Sequence, residues 1–203
     1  VYQFNMSSEN IFLLSLEVSA VALAVGYLLL AVKQDIRCWI AGIISSCIYL
    51  FLMFSANLYM ESVLQIFYIF MGFYGWKQWS QRNKQDAKFE IETWNLKIHF
   101  IILFSVILFS VLAGYLLEIY TNAALPFLDS LTTFGALVAT YMVAKKVLEN
   151  WIYWFFIDAL SVMLFINREL YLTAILFCIY LIIIIFGFKA WLNMYRSQEL
   201  KKN

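Results

Sequence analysis

The chain has 203 residues, 64% of them hydrophobic, 19% aromatic and 13% charged, with one proline and a mean hydropathy of +0.80. A soluble domain of this size is close to half apolar, so the composition excludes an ordinary water-soluble fold. The net charge of +1 argues against a nucleic-acid partner, which would call for a strong basic excess.

Apolar runs of spanning length follow one another at 11–32, 36–54, 57–76, 98–119, 125–145, 149–167 and 170–192. A hydrocarbon core about 30 Å thick does not tolerate open strand edges, so all seven runs predict helix. The expected fold class is therefore an all-α integral membrane protein with seven transmembrane helices, a single domain over 1–203. The connections are short except from Lys77 to Asn95, KQWSQRNKQDAKFEIETWN, whose charge puts it outside the bilayer. Residues 77–96 are read as a cytoplasmic loop and 193–203 as a cytoplasmic tail.

Basic residues set the expected orientation. With the N-terminus outside, the inner segments hold Lys33, Arg37, Lys77, Arg82, Lys84, Lys88, Lys97, Lys145, Lys146, Lys189, Arg196, Lys201 and Lys202, and only Arg168 is outside. That is 13 of the 14 Lys and Arg residues. The positive-inside rule then predicts N-out, C-in. The N-terminal stretch lacks a basic region ahead of its apolar run and is not expected to be a cleavable signal.

A displacement of 112 residues, without gaps, brings like residues together. Trp39 meets Trp151, Leu58 and Tyr59 meet Leu170 and Tyr171, and Tyr68 meets Tyr180. Gly75 meets Gly187, Lys77 meets Lys189, Trp79 meets Trp191, Glu17 meets Asp129 and Lys33 meets Lys145. Matched Trp, Tyr, Gly and Lys pairs argue for an internal duplication. The prediction is a 3+1+3 arrangement: repeat 1 at 11–76, a linker helix at 97–119, and repeat 2 at 125–192. Two three-helix units separated by one helix run in the same direction, a parallel repeat of the kind seen in SWEET-type sugar facilitators, which bind substrate near the midplane between repeats. Helix 4 would lie outside the cavity.

Polar residues at membrane depth are costly and ordinarily face a cavity or another helix. Trp151, Trp154, Asp158 and Ser161 step by three or four and share one helix face. Glu61, Gln65, Tyr68 and Gly72 do the same on the third run, and Asp129, Thr132, Thr133, Ala136 and Thr140 on the fifth. Glu17, Asp129 and Glu61 stand near outer helix ends, where solvated or structural roles compete with ligand binding. Trp76, Trp79 and Trp191 are read as an interfacial belt. Asp158 stands about ten residues into its span, near mid-depth. Its repeat-mate is Ser46, so the carboxylate is no part of the shared scaffold. A carboxylate beside indoles suits a flat delocalised cation, since a desolvated cation–π contact is worth about 2 kcal/mol or more.

Cys38, Cys47 and Cys178 lie in apolar runs without metal-ligand spacing, and the single histidine, His99, reads as satisfied or interfacial. The sequence carries no Walker lysine loop, no HExxH and no paired Ser/His, so neither an enzyme nor a cofactor is expected. A non-transporting receptor for the same ligand is the alternative class.

The strings NLYMESVLQIFYIFMGFYGWKQW, PFLDS and VLENWIYWFFIDALSVMLF resemble the nicotinamide riboside transporter family, PnuC. The resemblance covers nearly the whole chain. It implies a seven-helix core with SWEET-like repeats, uptake of a cationic aromatic vitamin by facilitated diffusion with trapping by phosphorylation inside the cell, a bacterial inner membrane, and a homotrimer. It also implies that Trp154, Gln65 and Asn150 lie at or near the site. Relatives tend to carry Asn where this chain has Asp158. A branch that moves thiamine, PnuT, resembles the family closely, and thiamine pairs a thiazolium charge with an aminopyrimidine donor. The sequence reading favours thiamine over nicotinamide riboside on that residue.

Overall fold

A computed structural model describes residues 8–55, 59–83, 90–121, 125–167 and 171–202. They form seven helices: α1 (Ser8–Val32), α2 (Arg37–Ser55), α3 (Tyr59–Asn83), α4 (Leu96–Tyr120), α5 (Pro126–Ala144), α6 (Asn150–Asn167) and α7 (Tyr171–Lys202). The predicted ends agree within a few residues, except that α3 and α7 run on past 76 and 192. The apolar runs report where a bilayer ends. A helix stops only at a Gly, Pro or cap, and neither KQWSQRN nor LNMYRSQELKK supplies a Gly or Pro. Among the described residues, Phe12–Val32, Leu96–Tyr120, Pro126–Ala144 and Ala174–Lys201 are long and apolar enough to cross a membrane, and Arg37–Leu52 and Asn150–Leu164 are shorter apolar helices.

Local chemistry sets several of the ends. Asn95 caps α4, its side chain accepting from the Ile98 N–H at 3.0 Å, which satisfies one of the first-turn donors. Pro126 opens α5, where a missing N–H costs nothing. The 190s region remains helical to Lys202 with the Ser197 hydroxyl bonded back to the Asn193 carbonyl.

The chain forms two compact units, Val1–Lys77 and Gln78–Asn203. In the first, α1 packs on α2, with the buried Ser45 hydroxyl donating to the Ala20 carbonyl at 2.8 Å. Small residues on α3 admit α2 closely: Gly72 faces Ile43, and Gly75 faces the Trp39 ring. In the second unit α4 packs on α5, α5 on α6 and α6 on α7. On α4 the buried residues are Val106, Ser110 and Gly114, a single i, i+4 stripe. Gly114 receives Phe127 of α5, and Phe109 stacks on Phe134 at 5.9 Å. Much of the rest of α4 is exposed Phe, Ile and Leu, a surface suited to lipid.

The turns that join α1 to α2 and α5 to α6 have the same hydrogen-bond skeleton, 112 residues apart. Gln34 N–H donates to Ala31 and Asp35 N–H to Leu30; Lys146 N–H donates to Val143 and Val147 N–H to Met142. Cys38 and Trp39 donate to Asp35 and Ile36; Asn150 and Trp151 donate to Val147 and Leu148. Gln34 and Lys146 each take a left-handed φ of 54°, an uncommon conformation for residues with a Cβ.

The belt reading of two tryptophans is corrected. Trp79 is 3% exposed and Trp191 is fully buried, whereas Trp76 is 39% exposed. Trp191 lies edge-on to Trp151 at 5.4 Å and near Trp79 at 6.5 Å. Trp79 also donates to the Ala144 carbonyl at 3.2 Å. Hydropathy cannot distinguish an indole facing headgroups from one facing another helix, since both lie at helix ends.

Candidate functional site

Helix α6 carries most of the expected site. Its first residue, Asn150, is fully buried. The amide donates to the Val147 carbonyl at 2.6 Å, while Oδ1 has no hydrogen-bond partner among the described residues. Four residues on, Trp154 is half-buried. One further turn brings Asp158, 3% exposed, and then Ser161, 5% exposed. The 3.6-residue period puts Trp154, Asp158 and Ser161 on one face. No hydrogen bond or ion pair engages the Asp158 carboxylate among the described residues.

Trp151 shares the face by register, yet its ring is engaged elsewhere. It is 2% exposed, with the six-membered ring against Gly187 and the Trp191 edge against it. Its Nε1 makes no hydrogen bond among the described residues. This indole packs α6 on α7.

Two of the α6 residues depart from the repeated scaffold. Asp158 stands where the first unit has Ser46. Trp154 stands where the first unit has Gly42, which receives Tyr27, and Tyr27 in turn corresponds to the fully buried Ala139. A large residue and a small one have exchanged helices between the units. The bulk on α6 is therefore particular to the second unit.

Gln65 and Tyr68 are half-buried on α3. They continue the stripe whose next members, Gly72 and Gly75, face α2. Glu61 lies in α3, with its side chain outside the described residues. Asp129 lies in the first turn of α5, half-buried, its carbonyl accepting from the Thr132 hydroxyl at 2.9 Å. Thr140 likewise bonds back to Ala136 at 2.7 Å. These threonines satisfy their hydroxyls within α5 and need no ligand. Glu17 on α1 is exposed. Among the described residues, no group of three or more His, Cys, Asp and Glu side chains could hold a metal ion.

His99 is paired through one nitrogen: Nδ1 lies 3.0 Å from the Tyr153 hydroxyl, whereas the buried Nε2 has no hydrogen-bond partner among the described residues and lies 4.0 Å from Glu149 Oε1. Sequence reasoning did not find its neighbourhood. Trp94 packs near both His99 and Tyr141, at 6.2 and 6.4 Å between ring centroids. Lys146 is 8% exposed with its ammonium 4.8 Å from the centre of the Trp79 ring. The cation–π reach explains how a lysine tolerates this burial.

A helical membrane protein, with a carboxylate and an indole on one face of an apolar helix, is the class these features define. Residues 14–193 match the family described as Nicotinamide mononucleotide transporter, and the chain belongs to that family. The chain is 24% identical to the Nicotinamide riboside transporter PnuC of Escherichia coli (strain K12), over 83% of this chain and 81% of that protein. The PnuC of Shigella flexneri is similar to the same degree and extent. Among solved structures, the crystal structure of the Vitamin B3 transporter PnuC shares the fold, with a TM-score of 0.72, 17% identity, and coverage of 90% of this chain and 82% of that one.

Proposed function

We propose that this protein carries nicotinamide riboside, a cationic pyridinium nucleoside, across a bacterial inner membrane by facilitated diffusion. The observation that carries the reading is Asp158, buried at mid-helix and without a hydrogen-bond or ion-pair partner among the described residues. A carboxylate in such surroundings calls for a positive partner. The substrate cation is the partner proposed, with the Trp154 ring beside it as a stacking face. Ser161 and Asn150, whose Oδ1 has no hydrogen-bond partner among the described residues, are the groups proposed to meet hydroxyls or an amide. Gln65 and Tyr68 of α3, with Glu61 and Asp129, are retained as further candidates. Trp151 is assigned to packing.

The sequence reading put thiamine first. That order is reversed, because the named relatives are riboside transporters and the countercharge argument serves either cation equally. Thiamine stays as a second reading only because an aspartate at 158, in place of the Asn usual in relatives, could also accept from an aminopyrimidine. A 3+1+3 architecture is supported by the matched turns, and N-out, C-in by the sorting of 13 of 14 basic residues. The uncoupled mechanism is supported by there being one acidic residue along α6. A homotrimer rests on family resemblance alone.

Calorimetric titration of the purified protein with nicotinamide riboside and with thiamine tests the substrate. Counterflow in proteoliposomes tests transport: exchange of labelled ligand is expected, and binding without exchange would mark a receptor.

A further inference from the structure

The segment between α3 and α4 does more than connect. Its residues 91–95 bind the turn that precedes α6 and the end of α7. The Glu92 N–H donates to the Lys146 carbonyl at 3.1 Å, and the Leu148 N–H donates back to the Glu92 carbonyl at 2.8 Å. These two bonds form an isolated parallel β-bridge between Glu92 and Val147. Ile91 is 3% exposed, and its N–H donates to Gln198 Oε1 of α7 at 3.2 Å. The Trp94 N–H donates to Glu149 Oε2 at 3.4 Å. Glu149 immediately precedes α6, its carbonyl accepts from the Ile152 and Tyr153 N–H groups, and its other carboxylate oxygen faces His99 of α4.

The corresponding turn of the first unit is held differently. Asp35 and Arg37 close it by a local ion pair, 2.6 Å between Oδ2 and the guanidinium, with the Arg37 side chain 73% exposed. The backbone skeleton is the same in both turns, so the bridge is an addition to the second unit and not a requirement of the turn.

We infer that residues 91–95 form a clasp that fixes the first turn of α6, and that Glu149 is a positioning residue which transmits the clasp to Asn150 and Trp154. The inference rests on the reading of α6 as the ligand-binding helix. A helix start anchored by backbone bonds to a second segment loses the fraying expected of a free first turn. The ligand then meets a pre-organised Asn150 and Trp154 and spends less of its binding free energy on ordering them.

Glu92→Pro removes one donor of the bridge; Glu92→Ala removes the side chain and keeps the donor. Glu149→Ala removes the acceptor for Trp94; Glu149→Gln keeps one. Amide hydrogen exchange in the full-length protein and calorimetric titration with nicotinamide riboside and thiamine read the two consequences. Glu92→Pro and Glu149→Ala should speed exchange over residues 148–153 by about ten-fold or more and weaken the bound ligand by about ten-fold. Glu92→Pro should exceed Glu92→Ala in both readouts; Glu149→Gln should stay near the parent, and so should Asp35→Ala, which breaks only the side-chain and backbone hydrogen bonds from Arg37 in the first unit. Unchanged exchange in both disruptive variants overturns the clasp. Faster exchange with undiminished binding overturns the positioning role, and Asp158→Asn run beside it separates the causes. Affinity lost in Asp158→Asn but kept in Glu149→Ala sinks the positioning role alone. Affinity kept in both sinks the reading of α6 on which the clasp rests.

Discussion

The six-membered ring of Trp151 fills the place beside Gly187 where any larger residue would put its Cβ, 2.5 Å from the ring. A methyl group cannot share that space, and a buried indole edge-on to Trp191 has little room to withdraw. Gly187→Ala should therefore lower stability by about 1–3 kcal/mol through overpacking, and Gly75→Ala, against Trp39, should act alike. Gly26→Ala is the contrast: a Cβ there meets nothing within 4 Å, so helix propensity should favour it by up to about 1 kcal/mol. Thermal unfolding in detergent checks the order. Gly187→Ala unfolding no earlier than the parent would sink the packing argument.

Asp158→Asn is isosteric and removes only charge. Loss of one partner from a desolvated charged contact costs about 2–5 kcal/mol, which is roughly 30-fold to several thousand-fold in affinity for a cation. Calorimetry with nicotinamide riboside and thiamine reads it. A folded variant that binds either cation as the parent does removes the countercharge role for that ligand.

Trp154 and Trp151 should separate affinity from stability. Trp154→Ala deletes the proposed stacking face and should cost about 1–2 kcal/mol of ligand binding, with Trp154→Phe retaining part of it. Trp151→Phe should instead lower the unfolding temperature, because it opens a void between α6 and α7, and leave affinity close to the parent. The opposite assignment of the two effects would mean that the face is misread.

Asp35 lies outside the spanning segments. The side-chain and then the backbone hydrogen bonds from Arg37 hold its carboxyl down at about 2. A depressed carboxylate stabilises the turn fully above its ordinary pKa, and that contribution disappears as pH falls through about 2. The group is exposed, so salt should screen the effect. Carboxyl NMR of the protein should show this low titration, and Arg37→Ala should return it toward the ordinary carboxylate range. An ordinary titration in the parent would remove the ion pair as the closure of this turn.

Much of the architecture was legible because bilayer thickness fixes run length, and the seven apolar runs correspond to the seven helices, four of them long and apolar enough to cross a membrane. Asp158 was legible for the same reason, as a charge where none is expected. The repeat pointed to Trp39, Trp151, Gly75 and Gly187 as matched residues. It could not say that each tryptophan touches its own glycine, because a sequence comparison carries no contact. The bridge from Glu92 to Val147 joins residues far apart in sequence through backbone atoms, which side-chain patterns do not record. The left-handed Gln34 and Lys146 were invisible too, since the usual glycine signal is absent. Trp79 and Trp191 were misread because their position along a helix says nothing about which neighbour they face.

The buried trio of Trp79, Trp151 and Trp191 also bears on how this protein can be watched. Three of the seven indoles sit in one dry cluster, with adjacent ring centres 5.4 and 6.5 Å apart. At such separations excitation passes readily among them, so they will emit as a group, shifted to the blue and sheltered from aqueous quenchers. Their light is a constant background on which the half-buried Trp154 can report. Iodide or acrylamide should darken the remainder of the emission first, and a ligand seated against Trp154 should shield that component and leave the cluster's colour unaltered.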